Sequence, residues 1–293
     1  MAGMSDERVS RVTMAVVRIG VGLLWLSNAG WKLPPDFGEA RERGLFRFTR
    51  YAVDHPVFAP FTTVIREVVL PNFGLFGWLT LLVEATLGAL LLLGWKTRWV
   101  ALASVLQAIA ITLAVARAPD EWPWSYFLMI LDGLALFAGD AGRACGLDGV
   151  LARGTDAALR GALGVIGAVG VVVGVYGVLA ALGHGRSGIV LGYPELELQL
   201  PRVNVAGALL LLAVGALAAV AAGTGRWPLA AIGAALAAAL VVVTLVTWRA
   251  GQRGLIGADG RTLSFQLFLA VGLGLLYRAR GRLPASRRRG RAG

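Results

Sequence analysis

The segment "LTLLVEATLGALLLLGWKTR", residues 79–98, is a nearly continuous apolar run that contains one acidic residue, Glu84, and ends at Lys96 and Arg98. A long apolar run closed by basic residues is typical of a helix that spans a membrane and ends at its surface. An ionised carboxylate is costly inside lipid, so such a group faces protein or water and usually has a function. The segment therefore predicts a membrane helix with a buried acidic group near its middle.

The composition of the whole chain supports the same class of protein. Of its 293 residues, 57% are hydrophobic and only 15% are charged, which is too little charge to cover a soluble surface of this size. We predict an all-α integral membrane protein with about eight transmembrane helices, because eight apolar runs approach the length that a bilayer requires. These runs are residues 12–33, 73–94, 98–116, 122–139, 162–183, 203–222, 228–247 and 263–277.

The runs divide the chain into two membrane regions. We expect a four-helix domain at 1–153 with a long outer loop at 34–72, a cytoplasmic linker at 154–161, a second Gly/Ala-rich four-helix region at 162–277, and a basic tail at 278–293. Glycines at 161, 164, 167, 170, 174 and 177 favour close helix packing in the second region. Basic residues concentrate in the tail and the alternate short loops, which predicts that both termini are cytoplasmic.

Several classes of partner and cofactor are disfavoured. The net charge of +11 could indicate nucleic acid, but seven arginines lie in the tail beside a membrane helix, where they more simply mark the cytoplasmic side or contact anionic lipid. One cysteine, Cys145, permits neither an internal disulfide nor a C-x-x-C redox pair. With only two histidines, a haem held by two of them is not expected, and no metal site is indicated.

Three charged residues occupy similar depths in three different predicted helices. Measured from the inner end of each run at 1.5 Å per residue, Arg18 lies about 9 Å deep, Glu84 about 15 Å and Asp132 about 10 Å. We predict a buried Arg18–Glu84 pair, with Asp132 nearby, that lines the inner half of a quinone-sized pocket. One interpretation is that these charges only fix the helix register. The other is a catalytic, proton-handling site, since a quinone that accepts two electrons also accepts two protons.

The outer loop carries a second candidate site. Arg43, Arg47 and Arg50 fall on one face of a predicted interfacial helix that is also rich in aromatic residues. With Lys32, at the end of the first run, they form the candidate substrate-binding set, an anion-attracting vestibule above the bundle. The alternative is that these arginines bind lipid headgroups.

Three stretches resemble motifs of the DoxX/DoxD family: "RIGVGLLWLSNAGWKL" from residue 18, "EATLGALLLLGWKTRWVAL" from residue 84 and "GDAGRACGLDGVLAR" from residue 139. The resemblance covers about residues 12–153 and implies a four-helix membrane bundle. By the match, the family-motif positions are Arg18, Lys32, Glu84, Arg98 and Asp148.

The same resemblance implies a function. It suggests a subunit, in a bacterial inner membrane, of a thiosulfate:quinone oxidoreductase or a related enzyme that oxidises another sulfur compound or thiol. Quinone would be the substrate, and a redox partner protein would complete the electron path. Two other functions stay open: a non-catalytic anchor or assembly subunit of a redox complex, and a small-molecule transporter.

Overall fold

The computed structural model describes residues 6–119, 121–184, 190–191, 198–257 and 259–284, so residues 285–293 of the predicted basic tail lie outside the described residues. Within these ranges the chain is almost entirely helical. The helices are α1 Asp6–Ala29, α2 Gly44–Asp54, α3 Ala59–Val64, α4 Phe73–Leu93, α5 Thr97–Val115, α6 Pro123–Ala138, α7 Leu147–Arg153, α8 Asp156–His184, α9 Val205–Thr224, α10 Trp227–Arg249 and α11 Gly260–Gly281. Two-residue strands β1 (Val190–Leu191) and β2 (Leu198–Gln199) pair antiparallel between α8 and α9.

Seven helical stretches among the described residues are long and apolar enough to cross a membrane: α1, Ala59–Leu93, α5, α8, α9, α10 and α11. The stretch Ala59–Leu93 is longer than the sequence predicts, because a π-helical turn at Ile65–Val69 and a 3-10 turn at Leu70–Asn72 join α3 to α4. The last part of the predicted outer loop is therefore helical. Helix α6 is apolar but has 16 residues. The chain has the character of a multi-pass helical membrane protein.

The helices connect two opposite sides of the bundle. On one side, which we call the loop side, residues 30–72 lie beside the start of α11, since a Cβ on Gly260 would approach the carbonyl of Ala29. On the other, the turn side, the α4–α5 turn contacts the α6–α7 turn, because Asp148 N donates to the carbonyl of Gly94. Helix α6 joins the two sides: Tyr126 near its start and Val115 at the end of α5 line one loop-side cavity, whereas Gly139 at its other end lies against Met14 of α1.

Helices α8 and α9 pack through their glycines, as the glycine spacing predicts. A Cβ added to Gly170 would lie 2.8 Å from Cα of Gly215, and one on Gly174 would lie 2.6 Å from Cα of Leu212. Neither position has room for a larger side chain. By contrast, nothing lies within 4 Å of a Cβ on Gly161, so the close contact begins after the first turns of α8.

The C-terminal helix α11 packs against both regions of the chain. Ser264 Oγ donates to the carbonyl of Ala85 in α4 at 2.8 Å, and Leu273 and Leu276 belong to the core formed with α8 and α9. Asp259 caps the start of α11 by accepting from Arg261 N and Thr262 N.

The linker expected at residues 154–161 is shorter than the sequence predicts, because α8 begins at Asp156. The predicted linker is reduced to a brief turn after α7.

Candidate functional site

A cavity of about 420 Å³ opens beneath the long loop, between α2, the π-helical turn and helices α4, α5 and α6. Its volume lies in the range of small-molecule sites, about 300–1,000 Å³. Most of its wall is aliphatic or aromatic. The aliphatic and aromatic lining side chains are Trp31, Leu45, Phe48, Phe61, Val64, Ile65, Val69, Phe76, Ala110, Ile111, Ala114 and Val115, together with the ring of Tyr126.

A buried polar group closes the inner end of this cavity. Lys32 Nζ lies 2.5 Å from Oε2 of Glu84, and the two side chains are 2% and 1% exposed. Gln107 of α5 donates from its amide to Oε1 of the same carboxylate at 3.3 Å. All three residues line the cavity. An apolar ligand with a polar head therefore meets N–H donors and a carboxylate at one place, in surroundings that exclude water and strengthen electrostatic interactions.

The end of α1 explains how Lys32 reaches Glu84. The helix ends at Ala29, and two turn residues, Gly30 and Trp31, bring Lys32 back against its last turn. There Lys32 Nζ donates to the carbonyl of Asn28 at 2.8 Å and lies 3.9 Å from the centroid of the Trp31 ring. The lysine is thus held by a carbonyl, an aromatic face and a carboxylate, and its apolar stem is buried along the way.

The predicted Arg18–Glu84 pair is wrong. Arg18 is fully buried, but it donates to the carbonyls of Leu91 (2.9 Å) and Leu92 (3.4 Å) at the end of α4 and to that of Cys145 (3.0 Å). Leu91 is seven residues beyond Glu84, a rise of about 10 Å along a helix. The depths were measured from approximate helix ends, and they place Arg18 too close to Glu84. They also cannot show that Lys32, which follows the end of α1, reaches back to Glu84.

Arg18 instead belongs to a cluster of motif residues on the turn side. Its guanidinium lies against Gly94, which has φ +63°, and a Cβ there would be 1.9 Å from Nη1. Asp148 accepts from the backbone N–H groups of Lys96 (2.7 Å) and Thr97 (3.0 Å) at the start of α5. A cation therefore sits at the C-terminus of α4 and an anion at the N-terminus of α5, each matched to the helix dipole. Arg18 and Asp148, two of the positions that the resemblance singles out, therefore stabilise this turn.

The remaining predicted site residues do not join the cavity. Asp132 is half-buried in α6 and is absent from the cavity lining, so the prediction of a pocket in the inner half, shared with Asp132, is also wrong. Arg43, Arg47 and Arg50 do share one exposed face of α2, opposite the buried Leu45 and Thr49, as predicted. They point away from the cavity that the other face of α2 lines.

Two of these arginines have local partners. Arg50 pairs with Glu42 at 3.2 Å and with Asp54 at 3.5 Å, while Arg47 donates to the hydroxyl of Tyr51 at 2.7 Å. Arg98, the other family-motif position, is exposed at the start of α5, with its guanidinium 4.8 Å from the centroid of the Phe137 ring. None of these contacts connects with Glu84.

Sequence reasoning missed several polar residues of the cavity, among them Gln107, Glu121 and Tyr126. Gln107 is the only amide side chain of α5, whose other polar residues are an arginine near its start and small hydroxyl side chains, and this isolation was the available signal. Tyr126 and Glu121, which hydrogen-bond to each other at the start of α6, also line the cavity. Glu121 lies at the edge of a predicted span, where a charged residue is ordinary, so no sequence signal distinguishes it.

Comparison of the chain with protein-family models, with curated proteins and with solved structures found no match.

Proposed function

We propose that this chain binds quinone in the loop-side cavity and serves as a DoxX/DoxD-like membrane subunit of a quinone-linked oxidoreductase. One observation carries the proposal: an apolar cavity ends at the buried Lys32–Glu84 pair and the Gln107 amide. A quinone has an apolar tail and carbonyl oxygens that accept hydrogen bonds. These features match an apolar wall with N–H donors at its inner end.

The polar group supplies the chemistry that quinone reduction needs from a protein. Reduction to the quinol takes up two electrons and two protons. Lys32 and Gln107 donate hydrogen bonds to a carbonyl oxygen at the end of the cavity, and Glu84 lies where a proton can be passed to that oxygen. These residues do not supply electrons.

The electrons come from another molecule in this proposal. Cys145, the single cysteine, lies on the turn side, opposite the cavity, so no dithiol of this chain can deliver electrons there. The reductant is then thiosulfate, another sulfur compound or a thiol, delivered directly or through a redox partner protein.

The membrane arrangement forms part of the same proposal. Helix α6 has 16 residues and is therefore about 24 Å long, which is somewhat less than the thickness of the hydrocarbon layer. It nevertheless connects the loop side to the turn side, as the longer helices do. We count it as the eighth span, which puts α1's start and α11's end on one side. Basic residues such as Arg143, Arg153 and Arg226 favour the cytoplasm for that side, in a bacterial inner membrane.

The test is quinone binding by the purified full chain, followed through quenching of tryptophan fluorescence, since Trp31 lines the cavity. Ala114→Trp fills the cavity and should abolish the saturable quenching. Leu106→Trp adds the same side chain on an exposed part of α5, 62% accessible, and should leave it unchanged. Equal quenching in both variants would contradict the proposed site.

Catalysis is tested separately by supplying thiosulfate or small thiols and following quinol formation. Glu84→Gln should lose turnover while a folded variant still binds quinone. If the chain binds quinone but forms no quinol with any of these electron donors, the anchor or assembly role replaces the catalytic one.

A further inference from the structure

A second, polar cavity lies on the turn side, at the opposite end of the bundle from the quinone cavity. It has a volume of about 580 Å³ and lies between the start of α5, the end of α6 and the helix α7. Four arginines and two aspartates line it. These residues are Arg11, Arg98, Arg143, Arg153, Asp140 and Asp148.

The charges in this cavity are not balanced. Arg11 pairs with Glu7 at 2.6 Å and Arg143 with Asp140 at 3.3 Å, while the carboxylate of Asp148 is engaged by the backbone at the start of α5. In the part of the chain that the structure describes, no acidic side chain lies within ion-pair distance of Arg98 or Arg153. Arg98 and Arg153 are therefore the guanidinium groups of this cavity without an ion-pair partner, and the four arginines outnumber the two lining carboxylates, Asp140 and Asp148.

Thr97 adds an independent indication of a ligand. Its side chain lines this cavity and the residue is only 3% exposed, yet Oγ1 has no hydrogen-bond partner among the described residues. A buried hydroxyl without a partner is destabilising, so most such groups in folded proteins are satisfied. The hydroxyl lies beside Gly142 and the Asp148 carboxylate, and an anionic oxygen bound between Arg98 and Arg153 would accept its hydrogen bond.

An apolar groove of about 460 Å³ lies on the other face of α7. Leu147 and Val150 of α7 face this groove, whereas Asp148 and Gly149 face the polar cavity. Arg153, at the end of α7, lines both. The rest of the groove is formed by residues such as Leu92, Ala162, Ile166 and Phe268.

We propose that the two cavities together bind one anionic phospholipid. Its phosphate lies between Arg98, Arg153 and the Thr97 hydroxyl, and one acyl chain follows the apolar groove past the end of α7. The adjoining groove favours a lipid over free phosphate, because only a lipid joins an anionic group to a long apolar chain.

The test measures lipid affinity with the delipidated full chain in a neutral detergent, by native mass spectrometry with short-chain phosphatidylglycerol. Arg98→Gln/Arg153→Gln should weaken binding at least about tenfold. The matched control Arg41→Gln/Arg66→Gln, which removes two exposed loop-side arginines, should leave binding unchanged. Equal affinity of the wild type and the Arg98/Arg153 variant would overturn the proposal.

Two milder variants keep the test decisive if the arginine variant does not fold. Thr97→Val preserves shape and removes only the unpartnered hydroxyl, so it should weaken lipid binding severalfold without lowering thermal stability. Ala162→Trp fills the groove, so it should weaken lipid binding. It should leave the affinity for inorganic phosphate, measured by competition, unchanged. If inorganic phosphate displaces the lipid from the wild type, and by itself binds the wild type as tightly as the lipid does, free phosphate is the ligand and the lipid assignment is wrong.

Discussion

Lys32 and Glu84 form an ion pair inside the helical bundle, with Nζ 2.5 Å from Oε2 and both side chains almost fully buried. The lysine comes from the turn after α1 and the glutamate from the twelfth residue of α4, so the contact joins the end of one helix to the middle of another. Because the pair also closes the apolar cavity, it links helix packing to the proposed quinone site.

A double-mutant cycle on this pair should show strong coupling. Lys32→Met leaves the Glu84 carboxylate buried without its counter-charge, and Glu84→Gln leaves the Lys32 ammonium beside a neutral amide. Either loss lowers the free energy of unfolding by about 3–5 kcal/mol. The double variant Lys32→Met/Glu84→Gln should recover much of that loss. Chemical unfolding in detergent measures the free energies. The cycle Arg18→Met/Glu84→Gln serves as the control and should be additive, since Arg18 binds the carbonyls of Leu91 and Leu92 instead.

Gly94→Ala should be strongly destabilising. The residue has φ +63°, which is unfavourable for alanine by about 1–2 kcal/mol. In addition, the new Cβ would lie 1.9 Å from Arg18 Nη1, so the guanidinium must leave its carbonyl acceptors. Gly74→Ala, in the first turn of α4 with nothing within 4 Å, should be neutral or slightly stabilising. Thermal unfolding midpoints of the two variants compare them directly, and equal midpoints would contradict the account of the turn.

Asp148→Ala should destabilise the chain by about 1 kcal/mol or more, because two N–H groups at the start of α5 lose their acceptor. Asp140→Ala is the control, since its carboxylate makes only an exposed pair with Arg143. The free energy of unfolding of each variant in detergent checks the difference. A loss for Asp140→Ala as large as that for Asp148→Ala would show that general charge removal, not capping, is responsible.

Gly215→Ala should disrupt the packing of α8 against α9. Its Cβ would lie 2.4 Å from the backbone N of Val171, and backbone atoms cannot move aside as a flexible side chain can. Gly223→Ala lies later in the same helix and has nothing within 4 Å, so it should be tolerated. The yield of monodisperse protein after size-exclusion chromatography distinguishes them, and similar yields would argue against the close contact between these two helices.

Replacing Arg43, Arg47 and Arg50 together with Gln should leave ligand affinity in the cavity and its dependence on ionic strength unchanged. These side chains are exposed, and Arg50 is already paired with Glu42 and Asp54. Exposed pairs contribute about 0–1 kcal/mol each, so stability should also change little. Titration of an anionic substrate at low and high salt is the measurement. A clear loss of salt dependence would restore the vestibule hypothesis.

The sequence alone determined the helical, membrane-protein character of the chain and the approximate positions of its long apolar helices. Apolar run length is a direct consequence of bilayer thickness, so it is readable without tertiary information. The sequence also singled out Glu84 as a buried charge, because any carboxylate in the middle of such a run must face protein or water. The glycine spacing of α8 likewise predicted its close contact, since a helical face follows from the period of 3.6 residues.

Only the tertiary structure decided which charges meet. Depth along separate helices cannot show that α1 ends early and that Lys32 turns back to Glu84, or that Arg18 lies level with the end of α4. The location of the cavity was also beyond the sequence, because its wall combines α2, the π-helical turn and Gln107 from distant parts of the chain. Pairing depends on how helix ends, turns and side-chain reach combine in space, and local patterns do not carry that information.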